Sequence, residues 1–86
     1  MTESTDLAKV IEFELRKEVS YIAGIDLMHV DADAPFKSLG VDSMMAIEVM
    51  AAMEKKLKIQ IQEKDVMNFK SFKETVAILI GYLPNK

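Results

Sequence analysis

The chain contains no cysteine. That one absence excludes a disulfide framework, a thiolate metal site and a thiol nucleophile. Long apolar runs are missing as well: nothing approaches the roughly 18 residues a membrane span requires, so no membrane role is expected. The opening Met1-Thr2-Glu3-Ser4-Thr5-Asp6 is acidic and lacks the basic start and apolar stretch of a secretory signal. A cytoplasmic location is expected, and the Met1 start with its short tail favours a free-standing protein. An excess of positive charge is also lacking. The net charge is −3, and residues 1–43 carry −5 against +2 for residues 44–86. A nucleic-acid partner would need a basic face to neutralise phosphates, so none is expected. The acidic half suits basic patches on protein partners instead.

Catalytic and metal-binding groups are equally scarce. His29 has no second histidine beside it, and Asp31 and Asp33 alternate like the start of a calcium loop without the glycine and glutamate that must come after them. No set of base, nucleophile and oxyanion donors can be assembled. No metal site and no catalytic residue are therefore expected, and the chain reads as something other than an enzyme.

What is present is a small folded domain. The 86 residues are 50% apolar and 29% charged, enough for one domain over residues 1–86, expected as a monomer. Leu7, Ile11, Leu15, Val19 and Ile22 recur at helical spacing, with Val10 and Phe13 widening the stripe and Lys9, Glu12, Arg16 and Lys17 off it. The spacing predicts a helix over about 5–22, capped by Ser4 or Thr5 and stopped by Gly24. Residues 24–41 have no period and hold most of the turn formers, yet Phe36 and Leu39 are too apolar for a free linker. A long packed loop is expected there, and such a loop usually has a function.

A second helix is predicted over about 42–57, with Ala46, Val49, Met50, Met53 and Leu57 on its core face. Ile59-Gln60-Ile61-Gln62 alternates like a strand but has no partner strand, so it reads as an extended connection. A short helix over about 63–68 comes next, and Ser71-Phe72-Lys73-Glu74 fits a capping box for a last helix over about 71–83, ended by Pro84. The expected fold is all-α: an irregular four-helix bundle with three main helices, one short one and a long loop between the first two.

The chemistry concentrates at Gly40-Val41-Asp42-Ser43-Met44, where the loop meets the second helix. Taken alone, Asp42-Ser43 reads as a helix cap. In its full context, with a long loop before it and an amphipathic helix after it, the stretch resembles the acyl carrier protein family. That family has a modified serine in a Gly-apolar-Asp-Ser-apolar motif, and the resemblance spans residues 5–83. It implies a 4′-phosphopantetheine arm on Ser43, with Asp42 as its motif neighbour, holding acyl groups as thioesters. Nothing in the chain would activate Ser43. The resemblance therefore implies loading from coenzyme A by a phosphopantetheinyl transferase. Acyl-loading, condensing and modifying enzymes of a synthase pathway would be the later partners. A phosphodiester at a helix N-terminus also gains from the local positive potential.

Met44, Glu48, Ala51 and Lys55 fall on the solvent side of the second helix and form the expected docking face. Met45 stands where fatty-acid-synthesis carriers often have an acid, and Lys55 replaces another. Asp42-Ser43-Met44-Met45-Ala46-Ile47-Glu48 instead resembles polyketide synthase carriers, and a polyketide or fatty acid pathway is expected, the former preferred. Two alternatives remain: a peptidyl carrier domain of nonribosomal peptide synthesis, and an unmodified helical interaction module. Of seven methionines, Met50, Met53 and Met67 read as core filler rather than as a soft interior that opens for cargo.

Overall fold

Helix α1 (Thr2–Ala23) buries Ile11, Leu15 and Val19, with Ala8 and Ile22 packed at the margins. The computed structural model describes the backbone of residues 2–83 and the side chains of residues 6–83. The helix thus begins before Ser4 and Thr5, the expected caps, whose side chains lie outside the described residues. The buried arc is narrower than the sequence stripe: Leu7, Val10 and Phe13 are exposed. In so small a domain α1 packs mainly on α2 and α4, and among the described residues these three side chains on its outer flank are left uncovered. The Lys17 ammonium lies 4.8 Å from the centre of the Phe13 ring and partly shields it. Gly24, at φ 76°, makes the left-handed turn that ends the helix, and the Gly24 and Ile25 N–H groups both return to Ser20 O at 2.9 and 3.2 Å.

Arg16 overturns its sequence reading as an off-stripe surface residue. Its exposure is 8%. Nη1 donates to Leu27 O at 2.8 Å and Met28 O at 3.3 Å, while Nε donates to Glu12 Oε2 at 2.8 Å. The guanidinium also stacks over the Phe72 ring, 4.6 Å from its centroid. Ser20 Oγ accepts from Leu27 N at 3.0 Å. One buried cation thereby binds the start of the loop to α1 and to the first residue of the last helix.

The rest of the loop is fixed to that helix. Phe36 N donates to Lys70 O at 2.7 Å, and Lys73 N donates to Ala32 O at 3.0 Å. Pro35 and Ser71 form an isolated antiparallel bridge, and the Phe36 and Phe72 rings meet edge-to-face at 5.0 Å. Phe36 is buried as expected, Leu39 only partly, and Leu27 and Val41 join the core. A one-turn 3-10 segment, Phe36–Leu39, ends at Gly40 in the left-handed region (φ 85°).

Helix α2 (Ser43–Leu57) buries Val49, Met50 and Met53, with Ala46 and Leu57 half-buried. An extended connection comes after it, with Ile59 and Ile61 packed against the core, and no strand occurs among the described residues. Helix α3 (Glu63–Val66) is a single turn. Met67 is 79% exposed rather than core filler. The helix stops before it, and Phe69 takes the inward place instead. Helix α4 (Phe72–Tyr82) starts where Ser71 Oγ accepts from Glu74 N at 3.2 Å, the serine half of the expected capping box. It ends at Tyr82; Pro84, read as its terminator, lies outside the described residues. The whole is an irregular bundle of four helices.

Lys56 ties the end of α2 to α1, with its ammonium 2.5 Å from Glu14 Oε1 and 3.1 Å from Glu18 Oε2. The hydrogen bond from Lys56 holds the Glu14 carboxyl below its ordinary 4.5. A depressed carboxylate contributes stability above its unfolded pKa and loses it as pH falls through the folded value. Urea midpoints between about pH 7 and pH 3 should therefore fall less steeply in Lys56→Gln than in the wild type. Arg16→Met should cost about 2–3 kcal/mol in urea unfolding, because the buried Leu27 carbonyl and the partly buried Met28 carbonyl lose their donor. Arg16→Lys should recover only part of that loss.

Candidate functional site

The loop delivers its last residues to the start of α2 in a defined way. Val41 is buried, and Val41 N donates to Phe36 O at 3.1 Å, which fixes the residue before the cap. Asp42 is extended (φ −96°, ψ −179°), and its Oδ1 accepts from Met45 N at 2.9 Å. Asp42 is thus the N-cap, worth about 1 kcal/mol to the helix. Asp42 O receives Ala46 N at 2.9 Å, the first intrahelical bond. Ser43 is the first helical residue and is exposed. The sequence left open whether its hydroxyl serves as a cap; the carboxylate next to it fills that role.

The N–H groups of Ser43 and Met44 belong to the first turn of a 15-residue helix and have no acceptor within it. With the helix dipole they set a positive potential around the Ser43 side chain. Gly40 has open space where a Cβ would stand, so the turn before the serine crowds nothing. Its φ of 85° is what this turn requires, and a residue with a side chain would be strained there.

The expected docking residues Met44, Glu48, Ala51 and Lys55 are all exposed on α2, with Met44 at 70%. Ile47, which the sequence reading does not place on that face, is 60% exposed on the same side. At about 100° per residue it falls between Ser43 and Ala51 on the helix surface, so the spacing contains the signal. Lys55 and Lys56, adjacent in sequence, part company here: Lys55 faces solvent, while Lys56 is held by α1.

Beside the serine lies a cleft of 740 Å³ between α2 and α3, lined by Ser43, Ala46, Ile47, Met50, Val66 and Phe69 among others. The sequence reading favours filled space there. Met50 does pack into the core, but α3 is too short to close the gap, and the apolar wall stays open to solvent. Met67 also lines it. Among the described residues, no group of three His, Asp or Glu side chains could hold a metal ion, and no helix is long and apolar enough to cross a membrane.

Residues 14–79 match the protein family described as the phosphopantetheine attachment site. The chain is 32% identical over 84 residues to the polyketide-8 synthase acyl carrier protein 2 of Streptomyces avermitilis, covering 96% of this chain and 95% of that protein. It is 29% identical over 82 residues to mellein synthase of Phaeosphaeria nodorum, covering 94% of this chain but only 4% of the synthase. Among solved structures, an acyl carrier protein from Thermotoga maritima superposes with a TM-score of 0.79 at 25% identity, covering 88% of this chain and 89% of that one.

Proposed function

Because this chain belongs to the phosphopantetheine-attachment family, as an acyl carrier protein of the polyketide-synthase-like kind, we propose that Ser43 is the residue that carries its 4′-phosphopantetheine arm. The family gives the chain an acyl carrier role in polyketide or fatty acid synthesis. The observation that supports Ser43 is its release from capping. Asp42 closes the helix end, and the exposed serine is left at the first helical position. The residues around it fit a phosphate-linked group: a helix N-terminus for the phosphodiester and an apolar cleft alongside for the rest of the arm. When bound, the arm supplies a terminal thiol that holds acyl groups as thioesters.

The chain's own residues present rather than catalyse. Ser43 Oγ attacks the β-phosphorus of coenzyme A, the bond to the adenosine bisphosphate half breaks, and the serine proton passes to a base of the transferase. Asp42 keeps its carboxylate on Met45 N, so the serine approaches the transferase from a fixed helix end. Met44, Ile47, Glu48, Ala51 and Lys55 form the face that the transferase and the acyl-loading, condensing and modifying enzymes grip. We take residues 1–86 as a single carrier domain, cytoplasmic and without catalysis of its own, serving a polyketide pathway.

Intact mass after incubation with coenzyme A and a broad-specificity phosphopantetheinyl transferase tests the site. The wild type should gain one phosphopantetheine, and Ser43→Ala, equally helical by circular dichroism, should gain none. No gain in a folded wild type that carried no arm beforehand would sink the proposal and leave an unmodified interaction module. Met44→Asp and Ile47→Asp should each lower kcat/KM for loading about tenfold. Both should shift urea stability by less than about 0.5 kcal/mol, since neither side chain is buried.

A further inference from the structure

The wall of the cleft opposite α2 is built on α3. Helix α3 is one turn long, far below the length at which a helix is stable alone, and its N-cap residue Gln62 makes no side-chain cap. A hollow lies on each side of it. The cleft is on the α2 side, and a shallower depression of 360 Å³, lined by Gln62, Lys64, Asp65, Ile78, Gly81 and Tyr82, lies between α3 and α4. Position must therefore come from outside the helix, and two polar ties supply it. Glu54 Oε2 of α2 accepts from Ile61 N at 2.7 Å. On the opposite side, the Tyr82 hydroxyl of α4 accepts from Gln62 N at 3.0 Å and donates to Asp65 Oδ2.

We propose that Tyr82 is a positioning residue: its hydroxyl, bound at once to the backbone before α3 and to a side chain within it, sets the width of the cleft beside Ser43. The hydroxyl joins the N-cap residue to a side chain in the second half of the single turn, so losing it leaves α3 with the Glu54–Ile61 tie alone of the two. The depression between α3 and α4 gives α3 space to move into, and movement away from α2 widens the cleft. Val66 and Phe69 keep their grip on the core, so the motion is a hinge about the Val66–Phe69 end rather than unfolding. The Asp65 contact raises the Tyr82 pKa above its ordinary 10.0, which favours the protonated, donating phenol further. The bearing on cargo rests on the carrier reading, but the geometry does not.

The test uses the full chain without an arm, so failure at Ser43 cannot be mistaken for failure here. Amide hydrogen exchange and methyl spectra are compared for the wild type, Tyr82→Phe, Asp65→Ala and Asp65→Asn. In Tyr82→Phe, exchange over residues 62–66 should rise about tenfold, with Leu15, Val19 and Met53 unchanged within about twofold. The Val66 and Met67 methyl signals should shift and that of Met53 should not. Asp65→Ala should behave like Tyr82→Phe, and Asp65→Asn, which keeps an acceptor, should stay close to wild type. If Tyr82 acts only through ring packing, Tyr82→Phe will match the wild type, and the proposal falls. It falls equally if exchange rises uniformly along the chain.

Discussion

The buried guanidinium of Arg16 is the constraint on which the rest of the architecture depends. A charge removed from water is tolerable only when its donors are met, and here Glu12, Leu27 O and Met28 O meet them while the Phe72 ring covers the face. Those partners come from α1, from the loop and from α4. Satisfying one residue therefore requires three segments to be in register. Phe72 passes the constraint on through its edge-to-face contact with Phe36. Phe36 O in turn holds Val41 N, immediately before Asp42 and Ser43. The position of the serine thus traces back, contact by contact, to a cation on the first helix.

This chain of contacts divides the molecule into a firm frame and a light wall. The frame is α1, α2, α4 and the docked loop, joined by apolar packing and by the Lys56 pairs. The wall is α3, held by polar ties and a few half-buried side chains. A carrier has conflicting duties: its attachment point must be easy to find, while its cargo varies in shape. With Ser43 as the proposed attachment point, its place on the frame, across the cleft from the light wall, separates those duties physically.

Much of this was legible in the sequence because it rests on local rules. The start of α2 at Asp42-Ser43, the stop at Gly24, the Ser71 start of α4 and the core face of α2 all arise from short-range patterns. Arg16 was not legible. Its partners are backbone carbonyls of a non-periodic loop, and no residue pattern announces a carbonyl. Val10 and Phe13 misled for the opposite reason. Helical spacing reports which residues share a side, whereas the width of the buried arc depends on how many neighbours the fold supplies. Met67 and the open cleft turned on one turn of helix, a length that sequence patterns seldom fix. Ile47 was within reach, since its angle places it beside Ser43.

The hydrogen bond from Lys73 N to Ala32 O closes an otherwise unpaired amide in the first turn of α4 with a carbonyl from the other half of the chain. With the Phe36–Lys70 bond, it makes the beginning of α4 dependent on a loop that precedes α2. Helical bundles joined by short hairpins fold quickly because their contacts are near in sequence. Here a local helix end waits on a distant segment, and the entropy of closing that span is lost before the end is complete. The loop and the last helix therefore gain order in one cooperative step.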